Sequence, residues 1–135
     1  MILWSGGGVP KDVVKVIVKD GVTILNWRVF FNCTALVSVT IPESVTSIGN
    51  SVFKDCTALV SVTIPDSVAQ MGRSVFFNCT SLKLVTIAES CTWTDKEMYQ
   101  GCESLKSLTI RYIHEVSNIT IKDGIGPQLG FKGET

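Results

Sequence analysis

Five cysteines, one histidine and three Asn-x-Thr triplets are the residues of this 135-residue chain whose types could do chemistry. Cys33, Cys56, Cys79 and Cys102 follow one another at a constant 23-residue spacing, and Cys91 breaks the series. A metal site wants closely spaced pairs such as C-x-x-C, or a cysteine–histidine cluster. Neither occurs in the sequence, so no metal ligand and no cofactor are expected. A fixed period of this length implies stacked units, whose equivalent residues lie about 4.8 Å apart with parallel side chains. A disulfide wants its Cβ atoms roughly 3.5–4.5 Å apart and turned toward each other. The thiols are therefore read as buried, reduced and acting as small hydrophobes.

His114 sits in a short connection and reads as a surface residue, not as the base of a nucleophile. The sequence has no G-x-S-x-G, phosphate loop or dinucleotide fingerprint. No catalytic residue is assigned and no enzyme is expected. The triplets Asn32-Cys33-Thr34, Asn78-Cys79-Thr80 and Asn118-Ile119-Thr120 are glycan acceptors if the chain is secreted by a eukaryote. The first two also follow from the repeat itself.

The elements that position these residues come in copies. The clearest units are residues 40–62, TIPESVTSIGNSVFKDCTALVSV, and 63–85, TIPDSVAQMGRSVFFNCTSLKLV. Residues 17–39 and 86–108 match more loosely. Val39, Thr40 and Ile41 alternate apolar, polar, apolar, which predicts a strand with one buried face. The run Val45-x-x-Ile48-Gly-x-x-Val52-Phe53-x-x-Cys56-x-x-Leu59 has spacings near three, which predicts turns or a short helical return. One strand per unit, always in the same direction, gives a stacked parallel sheet in which each unit buries its apolar row against its neighbours.

Leu36, Val39, Ile41, Pro42, Ser44, Val45, Ile48, Gly49, Phe53, Cys56 and Leu59 recur in register, or nearly so, one unit later. They resemble the 23-residue BspA-like branch of the leucine-rich repeat superfamily. The resemblance implies a leucine-rich-repeat solenoid with short helical or turn return segments, roughly four full repeats plus end caps. Ala88, Cys91, Thr94 and Asp95 depart from the pattern in the fourth unit, as expected near the end of an array.

The expected division is a flexible lead-in over 1–12, containing Gly6-Gly7-Gly8, and the solenoid over 13–110. A capping hairpin over 111–125 and a loosely ordered tail over 126–135 follow. Thr109 and Thr120 stand too close in sequence for an ordinary parallel return. An antiparallel hairpin closing the open sheet edge is therefore predicted, with a shortened parallel coil as the rival.

Composition narrows the function. Lys and Arg number 12, Asp and Glu 12, so no basic excess exists to bind nucleic acid. No stretch approaches the roughly 20 apolar residues needed for a membrane span. MILWSGGG has no basic segment and is not read as a signal peptide. The compartment is left unassigned, because the resemblance covers cell-surface and intracellular proteins alike.

The outward strand positions form the candidate binding face. One column is Lys15, Ser38, Ser61, Leu84 and Ser107, and a second is Ile17, Thr40, Thr63, Thr86 and Thr109. A third, beside the strand starts, is Val14, Val37, Val60, Lys83 and Lys106. Trp27 and Trp93 are secondary candidates, because they replace polar residues of other units at turns. The resulting expectation is a non-enzymatic, adhesin-like interaction module that binds a protein, or a glycan, through the strand face. Solvated Ser and Thr serving strand propensity alone would look the same. The alternatives are an ice-binding Ser/Thr array and a passive fragment of a longer repeat protein.

Overall fold

The computed structural model describes residues 1–88, 90–92, 97–111 and 116–120, with 110, 111 and 116–120 described by backbone only. The expected tail, His114 and Trp93 lie outside the described residues. The predicted strands form in sequence as β2 (Lys15–Val18), β4 (Ser38–Thr40), β6 (Ser61–Thr63), β8 (Leu84–Ala88) and β9 (Ser107–Arg111), and a further strand, β1 (Ile2–Trp4), precedes them. They run parallel, with equivalent residues opposed, as in Val16 beside Val39 and Val85 beside Leu108. The last strand, β10 (Val116–Thr120), pairs antiparallel with β9 along its whole length. Thr120 lies opposite Ser107 and Val116 opposite Arg111, so the hairpin pairing begins earlier in the chain than the expected start at 111.

Two features differ from the sequence reading. Residues 2–4, placed in a flexible lead-in, form β1 in register with β2. Trp4 explains why: its indole is buried against Phe30, 5.3 Å between ring centroids, and its Nε1 donates to the Gly7 carbonyl at 3.0 Å. The return segments contain no helix among the described residues. They hold a second parallel sheet of two-residue strands, β3 (Ile24–Leu25), β5 (Ser47–Ile48) and β7 (Gln70–Met71), followed by runs of turns.

The turn runs show why a helix is excluded. In residues 28–33 alternate amides bond in different directions. Val29, Phe31 and Cys33 donate backward within their own segment, to Asn26, Arg28 and Phe30. Arg28, Phe30 and Asn32 donate to the next coil, to Asn50, Val52 and Lys54. An α-helix would direct every amide along its own segment. The alternation requires a left-handed residue before each repeat cysteine. Asn32 (φ 59°), Asp55 (φ 63°), Asn78 (φ 60°) and Gly101 (φ 81°) fill that column with the types that tolerate it.

The core is a set of columns. Phe30, Phe53, Phe76 and Tyr99 stack at centroid separations of 5.7, 5.7 and 5.8 Å, with nearly parallel ring planes. Leu36, Leu59, Leu82 and Leu105 form a second fully buried column, and Val39, Val62, Val85 and Leu108 a third that is almost as deep. Coils this close leave no room for some side chains. A Cβ added to Gly72 would fall 2.6 Å from the Asn50 amide nitrogen and 2.7 Å from the Gly49 carbonyl carbon. Gly72→Ala should therefore destabilise the fold by about 1–3 kcal/mol. Gly8→Ala, with nothing within 4 Å, should change it by less than about 0.5 kcal/mol. Urea denaturation of the two variants checks this; equal midpoints would contradict the close-approach explanation.

Candidate functional site

All five cysteines are free and buried. Three of the thiols are also placed by a hydrogen bond that sequence reading missed. Cys56 Sγ donates to the Phe30 carbonyl at 3.1 Å, Cys79 to Phe53 at 3.0 Å and Cys102 to Phe76 at 3.0 Å. The same carbonyls accept the amides of Cys33, Cys56 and Cys79, so each thiol occupies the carbonyl's second lone pair. Burial pushes the Cys56 and Cys102 thiols up to about 12. It also raises Cys79, and it raises Cys33, with Lys11 opposing it there. A buried neutral thiol is a poor nucleophile and a poor metal ligand. No cluster of three or more His, Cys, Asp or Glu suited to a metal occurs among the described residues.

The strand face is where side chains are presented. Parallel pairing sets Lys15 beside Ser38, and Ser61 beside Leu84 and then Ser107. It likewise sets Ile17 beside Thr40, and Thr63 beside Thr86 and then Thr109. The alternation that buries Val39, Val62 and Val85 turns these residues outward. Thr40, Ser61, Thr63 and Leu84 are exposed, while Ser38, Thr86, Ser107 and Thr109 are half-buried. The third column is exposed along its length: Val14, Val37 and Val60 at one end, then Lys83 and Lys106. A rail of backbone bonds stitches it, Val37 to Val14 at 2.7 Å, Val60 to Val37 at 3.3 Å and Lys83 to Val60 at 2.8 Å.

Beyond that rail the sheet is interrupted. β4 pairs with β2 and β6 with β8, but β4 and β6 are not laddered to one another. A groove of about 370 Å³ opens there, walled by Ser38, Thr40, Ser61 and Thr63 and ended by Glu43 and Pro65. Val39 and Ile41, at its floor, are 8% and 9% accessible, where Val85 and Ile87 farther along the sheet are at 0% and 1%. β4 and β6 are both Ser-Val-Thr, so their residue types do not account for the interruption.

Four of the sequence-predicted residues thus meet in one groove. Lys83, Leu84, Thr86, Lys106, Ser107 and Thr109 continue the face beyond it. Trp27 lies on the turn side, 64% exposed. Glu43 was missed, although its signal was legible: Asp20, Glu43, Asp66 and Glu89 recur at the spacing of the repeat. The first three are exposed, a column of like charge along one border of the face.

Comparison with known proteins agrees with this geometry. The BspA type leucine rich repeat region matches residues 11–123 in six copies, against the roughly four full units expected. No curated protein matches the chain. Among solved structures, a Treponema pallidum (T. pallidum) leucine-rich repeat protein is 26% identical with a TM-score of 0.67, covering 70% of this chain and 44% of its own. A leucine-rich repeat protein from Bacteroides ovatus is 34% identical with a TM-score of 0.66, covering 71% of this chain and 24% of its own. A leucine rich cell surface protein from Faecalibacterium prausnitzii is 25% identical with a TM-score of 0.58, covering 80% of this chain and 35% of its own. The chain therefore spans less than half of each of these proteins.

The raised thiols set a pH dependence. An unfolded cysteine ionises near 9.0, whereas native Cys56 and Cys102 hold their protons to about 12. Between those values the native state binds more protons, so stability is full below about 9 and falls as pH rises. The fall should be roughly 1 kcal/mol per such thiol for each pH unit. Urea midpoints at pH 7.5 and pH 10.5 measure it, and a Cys56→Ala variant should lose part of the difference.

Proposed function

The chain belongs to the BspA-type leucine-rich repeat family, and from that premise we propose that it is a non-enzymatic module that binds another protein through its strand face. The groove between β4 and β6 carries the reading. There the face offers small hydroxyl side chains along two strand edges that are not laddered to one another, so an extended partner segment can approach closely and find donors and acceptors. The apolar border of Val14, Val37 and Val60 supplies area to bury, at 53%, 43% and 39% exposure. Glu43, with Asp20 and Asp66 in its column, favours a partner carrying a basic residue on that side.

The thiols argue against cysteine-based catalysis, because burial keeps Cys56 and Cys102 protonated far above neutral pH. The Faecalibacterium protein's description as a cell-surface protein is consistent with an adhesin-like setting for this module. Its partner is then a protein of another cell or of the surrounding matrix.

A Thr40→Lys, Thr63→Lys double variant tests the site. Both residues are exposed, so the fold should be kept, and circular dichroism checks that. Affinity purification with quantitative mass spectrometry should show a partner retained by the natural chain and reduced at least tenfold by the variant. A partner held equally by both would place binding off the strand face.

A further inference from the structure

The repeat provides an internal control for its own turns. Residues 27 and 28 are Trp and Arg, while the equivalent pairs are Asn50-Ser51 and Arg73-Ser74. Arg28, Ser51 and Ser74 share the same left-handed backbone, φ 58°, 58° and 54°. The fold therefore asks neither for an indole nor for a guanidinium here, and a serine makes the same turn twice. Yet Trp27 is 64% exposed, and the Arg28 guanidinium lies 5.1 Å from the Trp27 ring centroid and 4.5 Å from that of Phe31. Lys11 joins them: its Nζ is 5.5 Å from the Phe31 centroid and donates to the Phe31 carbonyl.

Two cations thus converge on one ring, held in place by cation–π contact. Stacking leaves the edge of the guanidinium and two ammonium donors free to grip an anion. Beside them runs a groove of about 520 Å³, within the range of ligand sites. Its walls carry Lys11, Arg28, Asn26 and the bare backbone of Gly6–Gly8, and no carboxylate. Asp20 lies in the adjoining hollow together with Lys19. The Trp4 Nε1 bond to the Gly7 carbonyl fixes the glycine loop against this groove.

We infer that this turn-side groove is a second binding site, separate from the strand face, which takes an acidic sugar of the uronate class. A pyranose ring has a flat C–H face for the Trp27 indole and an edge of hydroxyls for Asn26 and the glycine backbone. A uronate adds the carboxylate that Arg28 and Lys11 can share. An acidic peptide would use the two cations and leave the flat indole face without a matching surface.

Titration calorimetry of the full chain with trigalacturonate at low salt tests the site, beside maltotriose and hexaglutamate. Trigalacturonate should bind at least tenfold more tightly than either, and weaken as salt is raised. The double substitution Trp27→Asn, Arg28→Ser copies the turn of the next coil and should cut binding at least tenfold with unchanged circular dichroism. Lys11→Gln, outside that turn, should weaken it severalfold. No binding of trigalacturonate, or full binding by the folded variants, would overturn the proposal. Equal binding of maltotriose would remove the role of charge and overturn it too. Equal binding of hexaglutamate would assign the groove to acidic peptides instead.

Discussion

In the turns every second amide of a coil reaches for a carbonyl one coil ahead, and the rest of the structure depends on that division. Phe30 donates to Val52, Phe53 to Val75 and Phe76 to Met98, always to the residue just before its own counterpart in the next coil. The intervening amides close tight turns at home. A segment bonded this way can lie only at strand-like distance from its copies, which fixes the coil length and forces like residue onto like. The aromatic stack, the leucine column and the cysteine column are consequences of that one register. So is the need for glycine at 72, where the backbone of the previous coil occupies the space of a side chain.

The cysteines illustrate how tightly the register constrains chemistry. Their position is apolar, small and beside a carbonyl that already accepts one amide. A thiol fits the volume and offers a weak donor to the remaining lone pair. Burial then removes its reactivity. The cysteines, read from their period as small buried hydrophobes, are structural fittings, and the surfaces left for binding are the strand face and the turns.

Much of this was legible in the sequence, for a physical reason. A stacked repeat copies each environment, so inward Val39, Val62 and Val85 and outward Thr40, Thr63 and Thr86 announce themselves by period alone. The return segments were harder. Apolar residues near every third position fit a helix as well as a chain of turns. The deciding residues were Asn32, Asp55, Asn78 and Gly101, whose shared tolerance of positive φ precedes each cysteine. β1 was missed because Ile2 and its partner Val16 stand much closer in sequence than one repeat, outside the period. The groove between β4 and β6 was not legible at all, since identical Ser-Val-Thr strands pair elsewhere in the same face.

Native-state hydrogen exchange tests the central claim most directly, because it reads the turn amides one by one. Phe53, Asp55, Phe76 and Asn78, which donate across coils, should be protected to the level of the strand amides around Val62 and Val85. They lie in segments that look like loops, where exchange would ordinarily be fast. Exchange of these four amides at the rate of exposed loop residues would contradict the account, since the turn segments would then carry no backbone bonds between coils.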